Sequence, residues 1–466
     1  MDLKSLKEEF VSNLTGSSML EIAALSTIVP ALVVLRQWSC SAPVSGTIYA
    51  KEVEKKRKDN ASSTCKDGRS CMVALFMDFL CVVVPILLIF TVLAEWVYSF
   101  TAFVILLLIF CISAKRLSSS SSRFMERPGH MLSLRTSILS YRVSVVLLTC
   151  VCILAVDFKI FPRRYAKTET YGTGLMDLGV GSFVVANSLV SRQARGAKSM
   201  GWKSALQSTC PLLVLGFLRL VSTKGVGYQV HVGEYGVHWN FFFTLAAVAI
   251  LTSIVNVHPK KCGIFGLFIL VGYQTCLLCG LNEYLISNVR ALDLISQNKE
   301  GVFSIFGYWG MYLVGVNLGY LILFGEESST KNGPNIRWAR TRVWILCILF
   351  WSLTIILDNG VERVSRRMCN LAYVTLVLAQ NFQVLSIIML SDFMPAQKPL
   401  VLEETFNYNL LGSFLLANLL TGMVNMLVDT LSASSFAAFG ILLGYTFLLT
   451  AIVGLAWLYS IRFKFW

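Results

Sequence analysis

The sequence predicts an all-α, polytopic integral membrane protein, with about thirteen transmembrane helices in one bundle. Two observations predict it. Of 466 residues, 55% are hydrophobic and only 14% are charged, with a mean hydropathy of +0.66, far from the balance of a soluble globular chain. The apolar residues also run in stretches of about 20, the length a helix needs to cross a bilayer while satisfying its own backbone polar groups.

The first stretch, residues 19 to 36, follows a mixed-charge start and lacks a convincing A-x-A cleavage site, so it is expected to remain as an anchor. Residues 72 to 94 and 97 to 114 follow a long polar insert, and 138 to 156 follows a serine-rich one. Next come 175 to 191, 204 to 222, 239 to 257 and 263 to 286, separated by short charged connections. The last five are 303 to 324, 342 to 357, 369 to 391, 408 to 428 and 435 to 459. Together they use roughly 260 residues, which leaves only loops and predicts one membrane domain over 1–466 with no soluble one.

Thirteen cysteines fall mostly inside apolar runs, where a thiol behaves as a small hydrophobe, so neither a disulfide framework nor a zinc site is expected. The net charge of +14 suits a protein beside anionic lipid and does not imply nucleic acid.

The insert "KEVEKKRKDNASSTCKDGR" at 51 to 69 holds seven Lys and Arg, which places it in the cytosol. Alternation then puts 115 to 137, 192 to 203, 258 to 262, 325 to 341, 392 to 407 and the C-terminus on that side. The basic tracts at about 51–71 and 115–137 read as flexible loops. The N-terminus and residues 157 to 174, 223 to 238, 287 to 302, 358 to 367 and 429 to 434 face the lumen. There acids, bases, aromatics and glycines interleave, as in "KGVGYQVHVGEYGVHWN" and "DNGVERVSRR". Positive residues on the translocated side run against the usual bias, and four such loops together would roof one polar site. Asn13, in "NLT", is a sequon on that lumenal side; Asn60, in "NAS", falls on the cytosolic side.

One loop stands out: "DFKIFPRRYAKTETYGTGLMDLGVG" at 157 to 181. Asp157 ends the fourth span and Asp177 begins the fifth, and ionisable groups at membrane depth mark sites or pathways. Arg163 and Arg164 suit a phosphate, because guanidinium binds oxyanions bidentately. Asp157 and Lys167 form either a proton-transfer pair or a structural ion pair at the membrane boundary. His231 and His238, near Glu234, Tyr235 and Trp239, are alternative bases. The polar clusters gather at one face, which fits an enzyme acting on a lipid headgroup better than a transporter with a midplane site or a channel with a polar pore. The alternative is a lipid or small-molecule transporter with an anion-binding lumenal site.

Taken in order, "LKEEFVSNLTGSSMLEI", the 157–181 block, "EYGVHWNFFFT", "NKEGVFSIFGYWGMYL", "SRRMCNLAYV", "NLLTGMVNMLVDT" and the terminal "FW" resemble the inositol acyltransferases of glycosylphosphatidylinositol (GPI) anchor synthesis, the PIG-W type, over the full length. The resemblance implies a multi-pass endoplasmic reticulum enzyme, N-terminus lumenal and C-terminus cytosolic, that moves a fatty acyl chain, commonly palmitoyl, from acyl-CoA to the inositol ring of glucosaminyl-phosphatidylinositol. It implies Asp157 and Lys167 as the catalytic pair. The expected substrate-binding set, all in the matched blocks except His231, which the charged 223–238 loop supplies, is Arg163, Arg164, Tyr171, Asp177, His231, Glu234, His238, Trp239, Asn240, Arg366, Arg367, Asn425 and Asp429. No tightly bound cofactor, no metal and no obligate protein partner are expected; acyl-CoA is a co-substrate, and the partners are the glycolipid, acyl-CoA and membrane lipids.

Overall fold

A computed structural model describes residues 9–10, 12–40, 68–118, 130–197, 202–225, 232–324, 336–393 and 399–463. Most of the two basic loops at 51–71 and 115–137, His231, Asn60 and the terminal "FW" lie outside the described residues. The described chain is helical, its only bridge pairings being isolated contacts of Gly16 and Ser17 with Thr173.

Among the described residues ten helices are long and apolar enough to cross a membrane, which bears out the polytopic all-α fold without confirming a count of about thirteen. The stretches expected near 175, 204 and 239 contain shorter apolar helical segments, Leu175–Leu189, Leu206–Ser222 and Phe241–Val255, the second lying inside the 24-residue helix Trp202–Gly225. Two of these are shortened by recognisable signals. Asn240 caps the start of Phe241–Val255, its side chain accepting from the backbone of Phe242 and Phe243, and Asn256 stops that helix in the left-handed conformation at φ 43°. Asp177 precedes Leu178–Leu189, and its carboxylate is already committed to Thr168 and Gly174.

The chain forms two compact units: Met1–Ser26, Pro128–Leu134 and Phe161–Ser386 in the first, and Thr27–Arg127, Arg135–Ile160 and Ile387–Trp466 in the second. Within the first, Pro259–Cys276 packs along Lys299–Gly319. Glycines allow the approach: a Cβ on Gly310 would lie 2.5 Å from Leu270 Cγ, and one on Gly266 would lie 2.9 Å from the Gly310 carbonyl oxygen. Small residues serve this purpose between membrane helices, where association relies on close van der Waals packing. Leu371–Ile388 opens on Asn370, whose Oδ1 accepts from Tyr373 N at 3.1 Å, and its Asn381 donates to Ser182 Oγ at 3.0 Å.

In the second unit Ala31, Val34, Trp38, Val104, Leu108 and Ile387 form an apolar core. Outward positions of Val97–Ser118 stay apolar, with Leu106 66% and Phe110 68% exposed, as expected of a lipid-facing surface. Tyr445 ties two helices of this unit by donating to the Cys150 carbonyl at 2.8 Å. Cys71 is disulfide-bonded, and the free thiols among the described residues include Cys150, Cys276 and Cys279.

Candidate active site

Four of the loops that alternation assigns to one side are joined within the first unit by hydrogen bonds and ion pairs. The strip before Met19–Cys40 starts the assembly. Ser17 N donates to Thr173 O at 2.7 Å and Glu169 N donates to Leu14 O at 3.0 Å. The chains approach so closely that a Cβ on Gly172, at φ +129°, would lie 2.1 Å from the Thr15 carbonyl oxygen. Only glycine suits that conformation and that space. Gly172 N then donates to Val364 O at 2.9 Å, and Ser365 Oγ to Thr170 O at 2.6 Å, fastening the loop to residues 361–370.

Lys167 projects from this loop and donates to Glu234 Oε1 at 2.7 Å. Arg366 Nη1 reaches the same oxygen at 3.1 Å, and its Nε donates to Asp177 Oδ1 at 2.9 Å. Asp177, buried, also accepts from Thr168 N, Thr168 Oγ1 and Gly174 N. Thr168 is the residue after Lys167, so the sequence Lys167, Glu234, Arg366, Asp177, Thr168 closes into a ring. Its two cations and two anions balance.

Burial would raise the Glu234 carboxyl, but Lys167 and Arg366 outweigh burial and hold it at about 2, below the ordinary 4.5. Because the folded protein binds this proton more weakly than the unfolded chain, the stabilisation is fully present above about pH 4.5 and is lost as pH falls through about 2. Thermal unfolding in detergent should therefore show no pH dependence from Glu234 between pH 8 and roughly pH 5, where its stabilisation is fully present, and a loss below that. Glu234→Gln should flatten the acid side of that profile; an unchanged acid limb would remove Glu234 as its source.

The neighbouring arginine points elsewhere. Arg367 Nη2 donates to Glu300 Oε1 at 2.8 Å and to the Leu285 carbonyl at 3.0 Å, and Arg290 clamps both oxygens of Glu300 at 2.6 and 3.0 Å. Lys299, fully buried, caps the end of Asn282–Ile286 by donating to the carbonyls of Tyr284 and Ser287. Tyr171 donates to Glu362, which also accepts from Gln274 at 2.7 Å and Asn370 at 3.2 Å; burial and then the Glu362 carboxylate push the Tyr171 phenol up to about 12.

Other expected site residues sit as follows. Arg164 Nε pairs with Glu21 at 2.9 Å, and Tyr165 donates to the same oxygen at 2.7 Å. Arg163 donates to the Phe161 carbonyl and lies 3.9 Å over the Phe10 ring. His238 is held through its backbone N to Asn298 Oδ1 at 2.7 Å, Trp239 donates to Thr244, and Asn240 is a helix cap. In the second unit, Asn425 Nδ2 donates to Asp157 Oδ2 at 2.7 Å, and Asp429 accepts from Leu431 N at 3.2 Å. The first unit thus gathers Lys167, Tyr171, Asp177, Glu234, Arg366 and Arg367, while Asp157, Asn425 and Asp429 belong to the second.

Sequence reasoning missed Glu21, Glu300 and Glu362. Each acid is visible as a charge, but its partners are not: Glu21 takes Arg164, 143 residues on, Glu300 takes Arg367, 67 residues on, besides Arg290 nearby, and Glu362 takes Tyr171, 191 residues back. No cluster of His, Cys, Asp and Glu able to hold a metal occurs among the described residues.

The GWT1 family model matches residues 3–456. The chain belongs to the GWT1 family. An uncharacterized protein of Arabidopsis thaliana is 54% identical over 89% of this chain and 94% of its own length. The GPI-anchored wall transfer protein 1 of Aspergillus oryzae is 36% identical over 96% of each chain. The phosphatidylinositol-glycan biosynthesis class W protein of Dictyostelium discoideum is 35% identical over 70% of this chain and 74% of its own. The family match covers the loops of both units that carry the candidate residues and six of the seven short blocks that carry the resemblance, the terminal "FW" lying beyond it.

Proposed function

We propose that this GWT1-family protein is an acyl-CoA-dependent O-acyltransferase of the endoplasmic reticulum membrane, moving a fatty acyl chain, palmitoyl foremost, to the inositol of glucosaminyl-phosphatidylinositol. Its coarser part follows from the family: the chain is a multi-pass membrane enzyme that acylates the inositol of a GPI intermediate. The observation that carries the reading is the match from residue 3 to 456, in a chain whose Lys167 is paired with Glu234 and, through that carboxylate, linked to Arg366.

In the reaction an inositol hydroxyl attacks the thioester carbonyl, a C–O bond forms, the C–S bond breaks, and CoA leaves as its thiol with the proton released by the alcohol. Asp157 takes that proton; Asn425 holds one of its oxygens and leaves the carboxylate oriented. A positioned base of this kind is typically worth ~10² to 10⁴ in rate. Lys167 acts as a cation that stabilises the oxyanion. Its donation to the ionised Glu234 supports that role over the alternative of a lysine base. Arg163 and Arg164 receive the phosphate. Arg163→Ala and Arg164→Ala should raise the apparent KM for the glycolipid with little change in that for acyl-CoA; unchanged glycolipid KM in both would remove the phosphate role.

The N-terminus is lumenal and the C-terminus cytosolic in this reading, which sets the four joined loops on the lumenal side. The test of the function is transfer in one phase: purified protein in detergent, given acyl-CoA and glucosaminyl-phosphatidylinositol, should yield acylated glycolipid without a second compartment. Lipid movement in vesicles without any transfer in detergent would favour a transporter.

A further inference from the structure

Glu234, Arg366 and Asp177 were expected among the substrate ligands, but the structure gives them to one another and to the loop of Lys167. Arg366 has 4% of its side chain exposed and lies between two carboxylates, and Asp177 has 2% exposed. Neither presents a charge to an incoming phosphate. Glu234 is the one acid of the ring that touches the Lys167 ammonium.

We propose that Glu234 is a positioning residue for Lys167, held in place by Arg366, and that it acts on the reaction through the lysine and not by binding glycolipid. The inference rests on the reading that Lys167 stabilises the transition state. A lysine ammonium sits on four rotatable bonds, and left alone it spreads over many rotamers. The ring fixes it from both ends. Asp177 anchors the backbone at Thr168, accepting from its N at 3.1 Å and its Oγ1 at 2.9 Å, and Glu234 fixes the tip at 2.7 Å. Arg366 joins the two anchors, so the distance between backbone and tip is set by one rigid guanidinium rather than by the lysine's own stem. Arg366 is itself pinned by the turn at 361–370, where Cys369 takes the left-handed conformation at φ 51°. Arg219 and Tyr235 are the other ionisable groups that act on Glu234, and Tyr235 lies beside the Arg366 guanidinium at 6.0 Å.

The test uses full-length protein in detergent and compares kcat with KM. Misplacing a catalytic group by about 1 Å costs on the order of 10²-fold, so Glu234→Gln should lower kcat by roughly 10- to 100-fold while the KM for glucosaminyl-phosphatidylinositol stays within about twofold. Glu234→Asp, which keeps the charge, should recover part of the loss. In a Lys167→Met background, already slow, Glu234→Gln should add little, because both changes remove one function. A raised glycolipid KM with kcat preserved would make Glu234 a ligand and overturn the proposal. So would additive losses in the double variant, or a wild-type kcat in Glu234→Gln. Near wild-type activity of Lys167→Met is a separate outcome: it would overturn the role of the lysine itself. If Glu234→Gln does not fold, Glu234→Asp supplies the same split between kcat and KM.

Discussion

Asp157→Asn is expected to abolish turnover while leaving the protein folded and able to bind acyl-CoA. The substitution is nearly isosteric, and the amide oxygen still accepts from Asn425, so the hydrogen bond at 2.7 Å that ties Asp157 to the 410–427 helix survives. What is lost is the ability to take a proton from the inositol hydroxyl. An alcohol is a weak nucleophile until a base accepts its proton in the transition state, so kcat should fall by at least ~10² to 10⁴. Single-turnover acyl transfer by purified variant, set beside its melting temperature and acyl-CoA binding, checks this. Near wild-type transfer by a well-folded variant would end the role of Asp157 and move the base to His238 or His231.

Arg366→Met is expected to be the most destabilising single change in the first unit. It removes the one cation that joins Asp177 to Glu234 and leaves a carboxylate with 2% of its side chain exposed facing no guanidinium. Breaking a buried pair in this way costs about 3–5 kcal/mol, because the remaining charge stays uncompensated. Adding Asp177→Asn should restore part of the loss, since the amide needs no counter-charge, although its bonds from Thr168 and Gly174 weaken. Unfolding in detergent followed by intrinsic fluorescence measures both. Wild-type stability for Arg366→Met would show that the ring contributes little to the fold.

Composition and the length of apolar runs made the fold class legible, because a bilayer imposes the same demand on every span. The number of spans was less so. Hydropathy alone extends 175 to 191 and 239 to 257 to full crossings, whereas the second is bounded by Asn240 and Asn256 at Phe241–Val255, and the apolar run at 204 to 222 is one part of the 24-residue helix Trp202–Gly225. Within the site, the 157–181 block and the loops around 234 and 366 were readable as a charged group that belongs together, since cations on a translocated side need a reason. Their pairing was not readable. Asp177 and Lys167 lie in one block, yet Lys167 finds Glu234, 67 residues on, and Asp177 finds Arg366, 189 residues on. Adjacent Arg366 and Arg367 look interchangeable in sequence, but the turn at 361–370 sends one to Asp177 and the other to Glu300. Asn240, read as a ligand within its block, is occupied as a cap with its amide donating to the Gly216 carbonyl at 2.9 Å.

The central claim is that this chain places an acyl group on the inositol ring, and fragmentation mass spectrometry of the product tests it most directly. Purified wild-type protein, incubated with isotope-labelled palmitoyl-CoA and glucosaminyl-phosphatidylinositol, should give a lipid carrying the labelled acyl chain on an inositol fragment, with free CoA released in equal amount and no such product from Asp157→Asn. Label found on the glucosamine or the glycerol, or equal product from wild type and Asp157→Asn, would contradict the account.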